Sequence, residues 1–214
     1  MEKEIITLDI HFEEGFYTFS DQIKSQVKPL TEYSLNDFFT DKKPLNVEIG
    51  IGNGEFLCHM AEKRPDEHFI GFEVFRKIFR KAIAKVQKKN LSNVKLIQYD
   101  ASFFIPLLAN NSVSNFYVNF PDPWPKKKHN KRRLLKPEFL KIISDKLIIG
   151  GRLFIATDHD DYAEEILINL KAVSELKPEF ENYFVNELID YYPTKYYRKF
   201  AINSKVYFFR MVKR

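Results

Sequence analysis

At 214 residues, 44% of them hydrophobic and 15% aromatic, the chain has enough apolar material for one sizeable core, which excludes disorder as its default state. One cysteine, Cys58, excludes an internal disulfide framework, and no apolar run approaches the roughly 18 residues that would read as a membrane span. The net charge of +5 is segregated: Pro123 to Pro137 and Tyr191 to Arg214 each hold seven cations and no acid, leaving −9 on the other residues, so a polyanion is the expected partner.

In chain order, the opening MEKEIITLDI lacks the basic start and apolar block of a secretory signal, so a cytoplasmic location is expected. Residues 1 to 43 are mixed polar and aromatic and read as an N-terminal arm, with residues 44 to 214 as the domain proper. Leu45 to Ile49 is a strand, followed by glycines and a helix over Glu55 to Lys63 that ends at Arg64-Pro65. His68 to Val74 is the second strand. Phe75, Ile78, Phe79, Ala82, Ile83 and Val86 then recur at helical spacing and predict a core-facing stripe. Val94 to Tyr99 and Ser112 to Phe120 are strands with a short helix between them. Pro137 opens a helix to about Ile148 that Gly150-Gly151 stop, and Arg152 to Thr157 is a fifth strand. A helix from about Asp160 to Leu176 and two final strands, Tyr183 to Ile189 and Lys205 to Val212, complete the chain. Strands alternating with helices predict a single α/β domain: a mostly parallel sheet covered on both faces, with an antiparallel C-terminal edge.

The first strand runs into VEIGIGNGEF, where Gly50, Gly52 and Gly54 can bring backbone amides up to a ligand. The spacing is G-x-G-x-G, with Glu55 where the dinucleotide fingerprint requires its third glycine, which disfavours hydride chemistry. Acids mark successive strand ends: Glu48, Glu73, Asp100, Asp122 and Asp158. In an open parallel sheet these ends line one crevice, so the five carboxylates meet a ligand rich in hydrogen-bond donors. S-adenosylmethionine, with ribose hydroxyls, an adenine amine and an ammonium, is such a ligand. None of the acids is assigned to a metal.

The stretch NFPDPWPKKKHNKRRL, from Asn119 to Leu134, breaks an apolar strand with an acid between prolines, adds the only tryptophan and continues as six cations. A charge run is by default a solvated surface. Here acid, tryptophan, histidine and cations fall in the register D-P-W-x-K-x-x-H-x-K-R-R. With the glycine loop, Glu73 and Asp100, this resembles the tRNA (guanine-N7)-methyltransferases, a family of class I S-adenosylmethionine-dependent methyltransferases, from about Val47 to Phe200. The resemblance implies a Rossmann-like seven-stranded sheet and cofactor contacts by Glu48, Gly50, Gly52, Gly54, Glu73, Asp100 and Asp122. It implies Asp122 between cofactor and target base as the catalytic-site acid, with Lys126 and Asp158 at the substrate. Lys127, Lys128, Lys131, Arg132 and Arg133 would hold tRNA phosphates. The expected target is the variable-loop guanine at tRNA position 46.

The family's T-x-x-E near the C-terminus is incomplete here. TKYYRKF supplies Thr194 but Tyr197 in place of the glutamate, so Thr194 and Tyr197 are the expected substrate contacts, with Glu187, Asp190 or Asp158 as sources of the missing carboxylate. Two alternatives stand beside this reading: an exocyclic-amine methyltransferase, which Asp122-Pro123-Trp124 partly mimics, and a non-catalytic RNA-binding protein of the same fold. No protein partner is required by the sequence, and monomer and homodimer are both open.

Overall fold

The computed structural model describes residues 9–13, 16–20, 39 and 41–214, so most of the expected 1–43 arm lies outside the described residues. The strands are β1 (Asp9–Glu13), β2 (Phe16–Ser20), β3 (Leu45–Ile49), β4 (His68–Phe72), β5 (Val94–Gln98), β6 (Val113–Asn119), β7 (Leu147–Thr157), β8 (Leu176–Pro178), β9 (Phe184–Val185) and β10 (Tyr207–Lys213). Between them lie α1 (Glu55–Lys63), α2 (Arg76–Lys88), α3 (Ala101–Phe104), α4 (Pro137–Lys146) and α5 (Asp160–Lys171).

Among the described residues these ten strands form one sheet in the order β1-β2-β5-β4-β3-β6-β7-β10-β8, with β9 also paired to β10. Strands β3 to β7 are parallel, whereas β10 runs antiparallel to β7, β8 and β9. The expected seven-position sheet and its antiparallel edge are therefore present, with β8 and β9 sharing the last position. The β1–β2 hairpin adds two strands beyond β5, because β2 pairs parallel to it.

The period-2 alternation of β3 decides what each face buries. Leu45, Val47 and Ile49 join the large core with Phe116, Val118, Leu153 and Ile155 and the apolar sides of α4 and α5. Asn46 and Glu48 face the other way. On that side α1 and α2 bury Leu57, Ala61, Phe79, Ala82 and Val86 against Phe69, Val94 and Leu96. The chain proceeds from β3 outward to β4 and β5, then returns to the opposite side of β3 for β6. This reversal leaves a crevice at the carboxyl ends of β3 and β6, the place where open α/β sheets bind ligands. Tyr207 lies opposite Thr157, so antiparallel β10 brings the preceding tail to that same edge.

Three expectations change. The helix from Pro137 ends at Lys146, not near Ile148, and Gly150-Gly151 lie inside β7. There they form an irregularity in which pairing jumps from Val113–Leu147 to Asn115–Arg152. Gly150 has φ +78°, and a Cβ on Gly151 would sit 2.9 Å from the carbonyl oxygens of Ile148 and Ser114, so the bulge and not a helix stop demands glycine. Helix α5 ends at Lys171, which frees Leu176–Pro178 to pair with β10. Finally, the stripe on α2 is only partly core: Phe79, Ala82 and Val86 are buried, while Phe75 and Ile78 are exposed at the rim of the crevice.

Candidate active site

The glycine loop is built by three left-handed glycines at alternate positions, φ +76° at Gly50, +54° at Gly52 and +72° at Gly54. The amides of Gly50 and Ile51 both donate to the Phe72 carbonyl, at 2.9 and 3.0 Å, which folds the loop back over β4. A Cβ on Gly54 would come within 2.9 Å of the Ala82 Cβ, so this glycine lets α1 close on α2. Nothing lies within 4 Å of a Cβ built on Gly50 or Gly52, which leaves their backbone open to an incoming ligand.

Glu73, buried at the end of β4, is the hub of this loop. Its Oε2 accepts from the Gly52 amide and its Oε1 from the amides of Val74 and Phe75, all at 2.9 Å. Glu48 is almost wholly buried, at 2% exposure, and accepts from Asn119 Nδ2 at 3.3 Å. Its Oε2 has no hydrogen-bond partner among the described residues. Burial pushes the Glu48 carboxyl up to about 8, against the Asn119 bond and the Leu57 backbone amide that favour its ionised form and with a smaller contribution from the charge of Glu73. Asp100 is exposed and caps α3, its Oδ1 accepting from the amide and hydroxyl of Ser102 at 2.8 Å. Val74, Phe75 and Phe103 stand exposed beside these acids as an apolar rim, of which the helical periodicity assigns only Phe75 to the core.

The fourth and fifth strand ends make the other half of the site. Phe120 and Trp124 both adopt left-handed φ, +51° and +45°, strained for aromatic residues, and between them the chain presents the exposed Asp122. Beyond it the cationic run coils as a 3₁₀ turn, Lys127–Arg132, stabilised by His129 edge-on to Trp124 and by Arg132 over the same indole at 4.9 Å. Lys126, Lys127, Lys128, Lys131 and Arg132 are exposed.

Arg133 corrects the expectation placed on it. Instead of facing phosphate it is 3% exposed. Its guanidinium pairs with Asp161 and Glu165, its Nε donates to the Pro123 carbonyl at 2.7 Å, and it lies 4.9 Å from the Tyr162 ring centroid. A planar fork of five donors can satisfy all of these at once, which a lysine cannot. It therefore ties the Asp122 turn to α5.

The second basic segment also divides. Arg210 is held by Glu179 and Asp190 in the wall of a cavity of about 470 Å³ on the α1 side of the sheet, and Lys213 bonds Asn111 and the Leu147 carbonyl. Asp190 is thus paired with Arg210. Arg198 is taken up by Glu55 at 2.7 Å, leaving Lys195, Lys199, Lys205 and Arg214 as the other exposed cations of the tail.

The tail crosses the crevice between two anchors. Glu55 accepts from Arg198, from the Lys195 amide at 2.8 Å and from the Tyr192 hydroxyl at 3.4 Å. Burial pushes Glu55 up, but these bonds and the Arg198 charge outweigh it and hold its carboxyl below the usual range. Thr194 Oγ1 accepts from the Tyr197 amide at 3.1 Å. Tyr197 is a further correction: one position along a helical turn rotates its ring inward, where it packs with Tyr191, Phe120 and Ala201. The neighbouring Tyr196 faces the crevice and donates to Asp158 Oδ2 at 3.3 Å.

These groups fit S-adenosylmethionine: an open glycine loop, a buried Glu48 carboxyl oxygen without a partner, and acceptors at Glu73 and Asp100 set beside an apolar rim. Comparison with solved structures agrees on the fold. A structure described as an antibiotic-related methyltransferase superposes with a TM-score of 0.59 over 89% of this chain and 96% of its own, at 16% identity. The fold is that of the class I S-adenosylmethionine-dependent methyltransferases.

Sequence relatives narrow it. A family model described as "Putative methyltransferase" matches residues 42–209. The tRNA (guanine-N(7)-)-methyltransferase of Wolbachia pipientis wMel is 38% identical over 83% of this chain and 79% of its own length. That of Thermotoga maritima is also 38% identical, over 86% of this chain but only 58% of its own. The chain belongs to the tRNA (guanine-N7)-methyltransferase family.

Proposed function

We propose that this protein transfers a methyl group from S-adenosylmethionine to N7 of a guanine in tRNA, with the variable-loop position 46 as the expected target and the cytoplasm as its place of action. The observation that carries the reading is the joining of two halves at one switch point. A glycine loop with the Glu48 and Glu73 carboxylates meets a turn that bears Asp122 and continues into exposed cations. Among the described residues no helix is long and apolar enough to cross a membrane. Mapping the methylated base in tRNA incubated with the purified protein and cofactor tests the proposal; methylation at an exocyclic amine, or none, overturns it.

The chemistry asks little of the protein beyond placement. When bound, S-adenosylmethionine supplies a methyl group on a positively charged sulfur. Guanine N7 offers its own lone pair and loses no proton, so no general base is required. Asp122 accordingly acts by orienting the reactants, and near-attack geometry supplies much of the acceleration. Methylation at N7 leaves the purine positively charged. Asp122 and Asp158, the two acids at the ends of β6 and β7, favour that charge as it develops. Glu73 takes the ribose hydroxyls, Asp100 the adenine amine, and Phe75 and Phe103 border the purine.

Two expected results follow from these roles. Glu73→Ala removes a charged acceptor, worth roughly 1.5 to 3 kcal/mol, and weakens cofactor binding by about one to two decades in calorimetry. Unchanged affinity in the folded variant removes Glu73 from the site. Replacing Lys127, Lys128, Lys131 and Arg132 together by alanine flattens the slope of log tRNA affinity against log salt by up to about 2.8 to 3.6, at 0.7 to 0.9 per phosphate contact. Cofactor affinity stays put. An unaltered slope returns the turn to an ordinary solvated surface.

A further inference from the structure

Between its two anchors the tail projects Tyr196 over the crevice. The ring lies 4.8 Å from that of Phe120, tilted by 32°, and 5.2 Å from that of Phe200, yet the residue remains 42% exposed. Its hydroxyl donates to Asp158 Oδ2. Burial and the charges of Asp158 and Asp122 push that hydroxyl above the usual tyrosine range, so it stays a neutral donor. The placement is over-determined. Glu55 grips the chain on one side of Tyr196 through Lys195 and on the other through Arg198, and Thr194 caps the turn. Phe120 meets it from the opposite wall with a strained backbone.

Guanine presents two adjacent donors, N1–H and the 2-amino group, on the edge away from its imidazole ring. A carboxylate accepts both, whereas adenine offers an acceptor at N1 and is refused. Stacking on an aromatic ring adds affinity but does not distinguish the purines. An aromatic ring whose hydroxyl holds a carboxylate combines the two functions. In this chain the T-x-x-E position has no acid, and Asp158 stands within reach of the same tail.

We propose that Tyr196 positions the target guanine, stacking on it and orienting Asp158 to read its N1–H and 2-amino edge. The proposal rests on the tRNA guanine methylation inferred above and adds the residue pair that selects the base. The aromatic counterpart of the missing glutamate is then Tyr196 acting with Asp158, not Tyr197.

The test uses the full chain and tRNA transcripts carrying guanine, inosine or 2-aminopurine at the methylated position. Inosine keeps N7 and N1–H but lacks the 2-amino group; 2-aminopurine keeps the 2-amino group and the stacking face but lacks N1–H, so at saturating tRNA it reports stacking alone. Tyr196→Phe keeps the stack: quenching of 2-aminopurine fluorescence persists, while the guanine-over-inosine ratio of single-turnover rates falls about tenfold, the worth of one oriented charged hydrogen bond. Tyr196→Ala loses the quenching as well and slows guanine methylation by about tenfold or more. Both variants bind S-adenosylmethionine as the wild type does, which a collapsed fold would not allow. Quenching that survives Tyr196→Ala, or a guanine-over-inosine ratio unmoved by Tyr196→Phe, overturns the proposal while wild-type methylation stands. A wild-type enzyme that leaves tRNA unmethylated overturns the function itself.

Discussion

Glu48→Gln raises the thermal midpoint by on the order of 10 °C at pH 9 and by little at pH 4.5, relative to the wild type at the same pH. The carboxyl is buried beneath α1, and its folded value of about 8 stands above the 4.5 of a free glutamate. Below about pH 4.5 it is neutral in both the folded and unfolded chain. As the pH rises, the unfolded chain releases the proton and the folded chain keeps it, so stability is lost progressively until the folded group also ionises near 8. At about 1.4 kcal/mol for each pH unit across that span, the loss is roughly 5 kcal/mol. Glutamine occupies the same volume without the charge. Thermal denaturation of both proteins from pH 4.5 to 9 checks this, and a difference that does not grow with pH refutes it. With Glu48 at the cofactor as proposed, the wild type is expected to show a compensating property: a cationic ligand favours the ionised form, so its affinity for S-adenosylmethionine rises with pH through about 8. Glu48→Gln removes that rise. The acid is thus costly to the empty protein and useful to the loaded one.

Arg133→Met lowers stability by about 3 kcal/mol, the lower end for removing one partner of a buried ionic network, because Asp161 remains largely in solvent and recovers its hydration. For a chain of this length that is about 6 to 12 °C in the thermal midpoint. The Pro123 carbonyl loses its donor at the same time, so the turn carrying Asp122 and Lys126 loosens and single-turnover methylation slows. The salt dependence of tRNA binding stays the same, unlike that of the four-cation replacement. If Arg133→Met instead leaves stability intact and reduces the salt slope by about 0.7 to 0.9, Arg133 is a phosphate contact after all.

The amino-acid sequence by itself determined the α/β alternation, the glycine loop, the row of acids at strand ends and the family. These depend on local rules: strand and helix periods, glycine where φ must be positive, and a signature whose members are close together in the chain. Helix α1 and the strand β3 lie where that reading places them because glycines, a proline and an apolar run mark their ends.

Tertiary structure decided the roles inside that frame. Arg133 is one of seven cations in its run, and nothing local distinguishes it from Arg132; only the packing of α5, which brings Asp161 and Glu165 beside it, makes one a buried staple and the other a surface cation. Tyr196 and Tyr197 are likewise indistinguishable in sequence. Their different environments, Tyr196 at the crevice and Tyr197 packed inward, follow from Glu55, more than a hundred positions earlier, fixing the rotation of the tail. Glu55 itself read only as a broken fingerprint. The fate of a side chain in these cases depends on partners that come together only when β10 turns back along β7, a contact between distant segments that no local period encodes.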